Sequence, residues 1–302
     1  MKTRFLNYPD WQATADTLHM FLQMAGKVKL ERSPQRPEWA HVRLFLTIDG
    51  IGTGIIPAHE ANFEIYFNLR RHHVVVQNSR GLREKIPLGP GLSVKRFYEQ
   101  LMVALDDINA PTPINVRPQE FHDPVDFDQD DRHASYDRDA VTLFLENLHF
   151  AYRSIAAFMA PWRGKVEMPA YWFGTMDLTG TLFSGQAAPY PGRGEIAAGS
   201  FDEKACEFGF WPGDPKSPRP SFFVLPYPFV SDIGSYEAML KPDAARFLAQ
   251  ECEYVLPLED ALATADPQQT VVDFCSSAFA ILQRQDPWPD LDWATEALTY
   301  RR

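Results

Sequence analysis

Hydrophobic positions along the chain follow two different periods, and their succession predicts both helices and strands. Leu18, Phe21 and Leu22 recur at helical spacing within residues 12–30, which predicts an amphipathic helix. Residues 41–48 then alternate between apolar and polar side chains, a pattern that is typical of a half-buried strand. The chain therefore opens with a helix that leads into a sheet.

The same two patterns continue through the rest of the sequence. They predict strands at residues 63–69, 73–77, 171–184, 206–211 and 221–227, and helices at residues 93–107, 137–160, 242–254 and 268–285. We also expect Gly26 to end the first helix, and Trp288 and Trp293 to pack back on the body of the protein. Short turns between neighbouring strands require antiparallel pairing. An α+β fold follows, with helices packed on one face of the sheet.

The order of helix, strands and helix occurs twice, which indicates a tandem pseudo-repeat. Three polar residues of the first half have counterparts in the second half, namely His19 with His149, Glu64 with Glu207, and Arg96 with Arg246. The predicted regions are an N-terminal α+β repeat over residues 1–110, a Pro-rich and then acidic linker over residues 111–136, and a C-terminal α+β repeat over residues 137–302 with an extra helix and a Trp-containing tail. Two such units can leave a ligand cleft between them.

Charge and cysteine content indicate which binding partners and which cellular compartment to expect. The 302 residues include 29 Lys and Arg against 40 Asp and Glu, a net charge of −11, so we expect neither a nucleic acid nor a membrane surface as partner. Cys206, Cys252 and Cys275 are widely spaced and form no disulfide or metal-ligand pattern. The first ten residues do not resemble a signal peptide. These features predict a cytoplasmic protein and leave its oligomeric state open.

Several short segments, spread over nearly the whole chain, form a specific combination. They are Thr17-Leu18-His19 with Gln23, Phe63-Glu64-Ile65, His133-Ala134-Ser135-Tyr136-Asp137, Phe183-Ser184-Gly185 and Gly209-Phe210-Trp211-Pro212-Gly213. This combination resembles domain-of-unknown-function family 5996, a group of uncharacterised bacterial proteins. The resemblance implies a cytosolic bacterial protein and carries over no activity.

The first predicted helix places a carboxylate and an imidazole together. Asp16, His19 and Gln23 fall on one helix face at steps of three and four residues. A carboxylate one turn away can orient a histidine and raise its pKa, as a general base requires. This spacing favours an enzyme with hydrolase-type acid–base chemistry, in which His19 and Asp16 are catalytic. The alternative is a structural histidine that is hydrogen-bonded where the helix meets the sheet.

Metal sites are a second possibility that the spacing raises. Asp16-x-x-His19 and Glu146-x-x-His149 have the acid-to-histidine spacing of di-iron helix bundles, and Asp126, Asp128 and Asp130 alternate as in a calcium loop. The intervening strands argue against a four-helix bundle, and the position that a calcium loop needs as Gly is Asp131. A metalloenzyme remains a lesser alternative. We expect no bound metal and no cofactor.

Aromatic residues are dense in the second half of the chain. We expect Trp172, Phe210 and Trp211 to line an apolar cleft between the pseudo-repeats, with Gln23 as a polar ligand-binding group. The preferred hypothesis is therefore a protein that binds a small molecule in this cleft. The alternative is an enzyme centred on His19.

Overall fold

The first half of the chain contains two long helices and a five-stranded sheet. A computed structural model describes residues 5–299. Its first elements are α1 (Tyr8–Arg32), a 3₁₀ helix (Pro37–Trp39), β1 (Phe45–Thr47), β2 (Gly50–Gly52), β3 (Phe63–Asn68), β4 (His73–Asn78), β5 (Arg83–Pro87) and α2 (Val94–Asp107). Ser93 caps α2, because its hydroxyl oxygen accepts the Arg96 N–H at 3.2 Å.

The second half begins with another long helix and contains a larger sheet. Its elements are α3 (Arg138–Met159), β6 (Val166–Trp172), β7 (Asp177–Ala187), α4 (Glu195–Ser200), β8 (Glu203–Trp211), β9 (Ser221–Tyr227), a second 3₁₀ helix (Gly234–Met239), β10 (Arg246–Leu248), β11 (Glu253–Pro257), α5 (Leu258–Leu262), α6 (Pro267–Gln285) and α7 (Leu291–Ala294). Residues 108–137, between the halves, contain neither a helix nor a strand.

Both sheets are antiparallel throughout. The first has the order β1-β2-β3-β4-β5, and the second has the order β10-β11-β9-β8-β7-β6. An antiparallel bridge joins them, since the Leu44 N–H donates to the Tyr171 carbonyl at 2.9 Å and the Tyr171 N–H donates to the Leu44 carbonyl at 2.7 Å. This arrangement confirms the predicted α+β class.

Helix α1 is buried along most of its length, and both halves contribute to its surroundings. Phe21 packs on Phe97 of α2 with ring centroids 4.2 Å apart, and Trp11 packs on Phe144 of α3 at 5.0 Å. The Tyr8 N–H donates to the Pro218 carbonyl at 2.8 Å. The first helix thus belongs to the core of the whole molecule, which explains why polar residues on it are buried.

Several local predictions are wrong. Gly26 lies inside α1, which continues to Arg32, and residues 171–184 are two strands separated by a turn. Residues 242–254 contain β10 and the beginning of β11 instead of a helix, because β11 pairs with the central strand β9. Trp288 is buried as expected, but Trp293 is 56% exposed.

The two halves share an outline, and the internal duplication stays a prediction. His19 and His149 lie on the opening helices α1 and α3, and Glu64 and Glu207 each lie on the third strand of their half. The Arg pair is not equivalent, since one residue lies in α2 and the other in β10.

Across residues 5–299, no helix combines the length and the apolar character that crossing a membrane requires.

Candidate functional site

His19 lies where α1 meets the turn between β6 and β7. Its Nε2 atom is 2.8 Å from the Phe173 carbonyl oxygen and 3.1 Å from that of Gly174, and the side chain is only 6% exposed. Burial lowers the pKa of His19 to about 4, although the two carbonyl contacts oppose this shift. The imidazole is therefore neutral near pH 7 and donates its Nε2–H to the backbone.

Gln23 lies beside His19 and connects α1 to the segment between the halves. Its Nε2 donates to the Gln119 carbonyl at 2.8 Å, and its Oε1 accepts the Gln119 N–H at 3.0 Å. The amide orientation is thereby determined, so its NH₂ group faces His19 Nε2 at 3.2 Å. That NH₂ group is itself a donor and makes no hydrogen bond to a protonated Nε2, so the carbonyl oxygens of residues 173 and 174, which can only accept, place the His19 proton on Nε2. Gln23 is fully buried and holds the segment in place.

Asp16 is on the same face of α1, but its partners differ from those predicted. The carboxylate accepts a hydrogen bond from the Tyr8 hydroxyl, and its Oδ2 is 3.6 Å from His122 Nε2. Burial raises the pKa of Asp16 against the opposing effects of Tyr8, His122 and His133. The structure therefore pairs Asp16 with the segment between the halves, while His19 pairs with backbone carbonyls.

A second carboxylate orients a second histidine in that segment. His133 Nδ1 lies 2.6 Å from Asp130 Oδ2, and Asp130 Oδ1 accepts the backbone N–H groups of Arg132 at 3.0 Å and His133 at 3.1 Å. The Asp130 side chain is 1% exposed and that of His133 is 13% exposed. A fixed carboxylate on Nδ1 selects the tautomer whose Nε2 is free to take a proton.

Three imidazoles surround the ring of Phe121. Ring centroids are 5.7 Å apart for His19, 4.6 Å for His122 and 5.6 Å for His133. We call these three histidines, Phe121, Asp16 and Asp130 the histidine junction. In the junction, His19 is a buried neutral imidazole, and Asp130 orients His133. Asp16, whose pKa is raised, lies next to the exposed His122. A carboxylate that burial shifts toward its protonated form, beside a histidine, is a combination that can exchange protons, whereas the His19 imidazole stays neutral.

The aromatic residues predicted to share one cleft lie on two faces of the six-stranded sheet. Phe210 belongs to the face that packs on α3 and α6 and is 1% exposed. It contacts a cavity of about 10 Å³, which is no larger than one water molecule needs. Strand alternation places Trp172 and Trp211 on the opposite face, and both are half-buried. The structure therefore brings these two tryptophans to one face and separates them from Phe210 and Gln23.

Acidic side chains share the face that carries the two tryptophans. Glu207 and Glu253 alternate onto it, as does Asp177, which accepts hydrogen bonds from the Thr175 and Thr179 hydroxyls. Burial and, secondarily, the Asp177 charge raise the pKa of Glu207 to about 8 and that of Glu253 to about 7. We call this surface the Trp-acid face.

The predicted repeat partner of His19 lies elsewhere. His149 Nε2 is 3.2 Å from the Ile48 carbonyl oxygen, and Glu146 is exposed. Throughout the part of the chain that the structure describes, no group of three or more His, Cys, Asp or Glu side chains is arranged to hold a metal ion.

A surface concavity in the second half contains none of the predicted site residues. It has a volume of about 800 Å³ and lies between residues 241–244 and the helices α5 and α6. Its polar side chains include Lys241, Asp260 and Asp273. The histidine junction thus lies outside this concavity.

Sequence reasoning missed the part of the site that residues 111–136 supply. Phe121, His122, Asp130 and His133 lie in a segment predicted to be a linker. The usable signal was the His133-Ala134-Ser135-Tyr136-Asp137 motif, which a solvated linker does not require. Asp130 is fully buried, so its place in the acidic run did not indicate its environment.

The fold and the junction define an α+β protein with buried acid–base groups between two sheet-containing halves. The model of the family described as "Family of unknown function (DUF5996)" matches residues 4–294, so the chain belongs to that family. No curated protein and no solved structure matches it.

Proposed function

We propose that the chain is an enzyme that performs acid–base chemistry on a small polar molecule at the histidine junction. The observation that carries the proposal is the contact of 2.6 Å between His133 Nδ1 and the buried Asp130 carboxylate. Such a pair is the usual arrangement for a histidine that takes a proton through Nε2. His122 and Asp16 supply a second proton-exchanging pair nearby.

His19 has a different role in this proposal from the one its sequence spacing suggested. Its Nε2 donates to the backbone carbonyls, and its lowered pKa keeps the ring neutral. His19 is therefore a positioning residue that holds the β6–β7 turn against α1. Asp130 likewise acts through His133, and only His133 and the His122–Asp16 pair would touch substrate.

The cellular setting belongs to the same proposal. We place this chemistry in the cytoplasm, as the composition suggested, and in a bacterium, as the family resemblance implies. Cys206, Cys252 and Cys275 are all free thiols, and a reducing compartment would keep them so.

A comparison of metabolite consumption tests the enzyme proposal without a known substrate. Purified protein is incubated with a bacterial metabolite extract, and mass spectrometry follows which compounds disappear. We expect His133→Gln and Asp130→Asn to slow the consumption of the same compound by about 10²-fold or more, the usual contribution of a general base. The control His149→Gln alters a histidine outside the junction and should retain the wild-type rate.

Two results would count against this proposal. One is a wild-type protein that consumes no more than a heat-inactivated sample. The other is a compound consumed equally fast by the wild type and by His133→Gln.

A second candidate function is the binding of a small molecule on the Trp-acid face. Trp172 and Trp211 lie on it beside Glu207 and Glu253, a combination that suits a cationic ligand, because aromatic faces attract positive charge and a bound cation would favour the ionised form of both carboxyl groups. Quenching of tryptophan fluorescence by cationic metabolites would detect it. The response should disappear in Trp172→Leu and persist in Trp293→Leu, whose indole is exposed on α7. Equal quenching of both variants would refute this candidate.

A further inference from the structure

A cluster of buried cationic and imidazole groups lies where the first half meets β6. It consists of Lys29 on α1 together with Arg36, His41 and Arg43 on the segment that precedes β1, and we call it the cation cluster. Lys29, His41 and Arg43 are each 5% exposed, whereas the Arg36 side chain is 55% exposed. The cluster thus extends from the interior to the surface of a chain whose net charge is −11.

Positive charge in the cluster exceeds the negative charge that contacts it. Arg36 and Arg43 both pair with one carboxylate, that of Glu167 on β6. Lys29 donates to carbonyl oxygens, to Arg43 at 2.5 Å and to Thr53 at 2.6 Å, and it lies 4.4 Å from the centre of the Phe45 ring. Two guanidinium groups and one ammonium group therefore have a single carboxylate as direct ion partner among the described residues.

Two N–H donors of the cluster have no partner in the described part of the protein. They are His41 Nε2 and Arg43 Nε, and neither is accessible to solvent. The His41 tautomer follows from the backbone, because Nδ1 accepts the Arg36 N–H at 3.2 Å and the proton must then be on Nε2. The other Arg43 nitrogens donate to Glu167 and, at 3.2 Å, to the Met168 carbonyl. Both unpartnered groups are thus donors, and both belong to a cluster with more positive than negative charge.

We propose that the cation cluster binds a small oxyanionic group, a phosphate or a carboxylate of a metabolite, which accepts hydrogen bonds from His41 Nε2 and Arg43 Nε. An oxyanion offers several acceptor lone pairs and a negative charge, the two things that the cluster lacks. The lowered pKa of Lys29, about 8, and the lowered pKa of His41 agree with burial among uncompensated positive charges.

The surroundings of the cluster suggest how the anion enters. Trp39 stacks on His41 at 5.7 Å between ring centroids, and its indole N–H donates to the Ile196 carbonyl of α4 at 3.0 Å. Trp39 is half-buried and stacks on the His41 ring, so it covers one face of that ring. Displacement of Trp39 would open the cluster, and α4 would respond to binding.

Anion titrations of the whole protein test the proposal. Inorganic phosphate and, separately, acetate are added at constant ionic strength, with chloride as the reference anion, and thermal midpoints and affinities by calorimetry are recorded. We expect phosphate or acetate to raise the midpoint of the wild type above that in chloride, and the stronger of the two identifies the chemistry of the natural group. In the spectrum of ¹⁵N-labelled arginine side chains, the Arg43 Nε–H signal should shift on binding.

Two variants remove one unpartnered donor each and keep one neighbouring contact of the altered residue. His41→Asn keeps an acceptor for the Arg36 N–H and loses the Nε2 donor, and Arg43→Lys keeps the charge toward Glu167 and loses the Nε donor. Each should weaken anion binding by about tenfold or more, the loss expected for a hydrogen bond to a charged group. His59→Asn and Arg70→Lys, matched changes at exposed positions outside the cluster, should bind like the wild type.

Three results would overturn the proposal. They are equal midpoints in phosphate, acetate and chloride, equal anion affinity in the wild type and both donor variants, and a crystal structure grown in phosphate in which only an internal water contacts the two donors. If a variant fails to fold, the Arg43 Nε–H signal of the wild type tests the proposal instead. A signal that does not shift at high phosphate concentration would refute anion binding at this site. The His133 signals should not move, which separates this site from the histidine junction.

Discussion

Single side chains in this protein owe their protonation states mainly to burial. His19 is neutral because desolvation lowers its pKa, and Glu207 takes up a proton at unusually high pH for the same reason. These two shifts have opposite consequences for stability. The histidine makes the folded state weaker in acid, and the glutamate makes it weaker in base.

His19 should limit the acid stability of the protein. Its pKa is about 4 when folded, against 6.5 ordinarily, so the unfolded chain takes up the proton first as the pH falls through this window. The resulting loss in the free energy of unfolding is on the order of 3 kcal/mol and is complete below the folded pKa. His19→Gln, which retains a donor for the Phe173 carbonyl, should be less stable near pH 7 by about 1 kcal/mol and should lose less stability in acid.

Urea unfolding curves across this pH range would measure both effects. His59→Gln, a change at an exposed histidine, serves as the control. Parallel stability curves for the wild type and His19→Gln would show that burial does not shift the titration of His19.

Glu207 should weaken the fold in alkaline solution. Its folded pKa of about 8 exceeds the ordinary 4.5, so the folded chain retains a proton in this range that the unfolded chain has lost. Its contribution to stability is present below the ordinary pKa and is lost as the pH rises through the folded value. Glu207→Gln should therefore exceed the wild type in stability at about pH 9 and converge with it at about pH 5.

Chemical denaturation at these two pH values provides the measurement. Glu64→Gln alters the corresponding strand of the other sheet and should show no such crossover. A Glu207→Gln protein with the same pH dependence as the wild type would contradict the assigned environment.

Among the elements, α1 depends most on close packing. Gly26 lies against the Phe173 ring, and an added Cβ would come within 2.1 Å of Phe173 Cδ1. This position explains why a glycine stands inside a helix instead of ending it. The approach also brings α1 close to the turn whose carbonyls accept the His19 N–H.

Gly26→Ala should therefore destabilise the protein although alanine favours helices. Overpacking against a buried ring costs about 1–3 kcal/mol, which outweighs the gain of up to about 1 kcal/mol in helix propensity. Gly89→Ala is the matched control, because its new Cβ would meet nothing closer than Arg138 Nη2 at 3.8 Å. If Gly26→Ala melts at or above the wild-type temperature, α1 and the β6–β7 turn are less tightly packed than the contact between Gly26 and Phe173 indicates.

The whole molecule depends on α1 as a shared core element. Tyr8, Trp11 and His19 of this helix contact residues of the second half, while Phe21 contacts α2 of the first. The Leu44–Tyr171 bridge adds a backbone connection between the two sheets. Neither half can bury its apolar surface fully without the other.

Unfolding should accordingly be one cooperative transition. Removal of the second half would expose α1, so the halves should not unfold independently. Circular dichroism in the far ultraviolet and tryptophan fluorescence should give coincident urea curves. Two separated transitions, or a stable isolated fragment of residues 1–110, would show that the halves are independent domains.

The sequence by itself determined most of the local structure. The periodicities located α1, α2, α3, α6 and strands β3, β4, β8 and β9, because apolar spacing records which side of an element is buried. They also identified His19, Asp16 and Gln23 as polar groups on one helix face. The α+β class followed from these elements and their short turns.

Only the tertiary structure decided which groups meet. Local spacing could not show that Gln23 binds Gln119 or that Asp130 is buried beside His133. It also predicted a helix where β11 pairs with β9, since strand pairing overrides local propensity. Contacts between residues far apart in the chain depend on how buried surfaces pack, and no short sequence window contains that information.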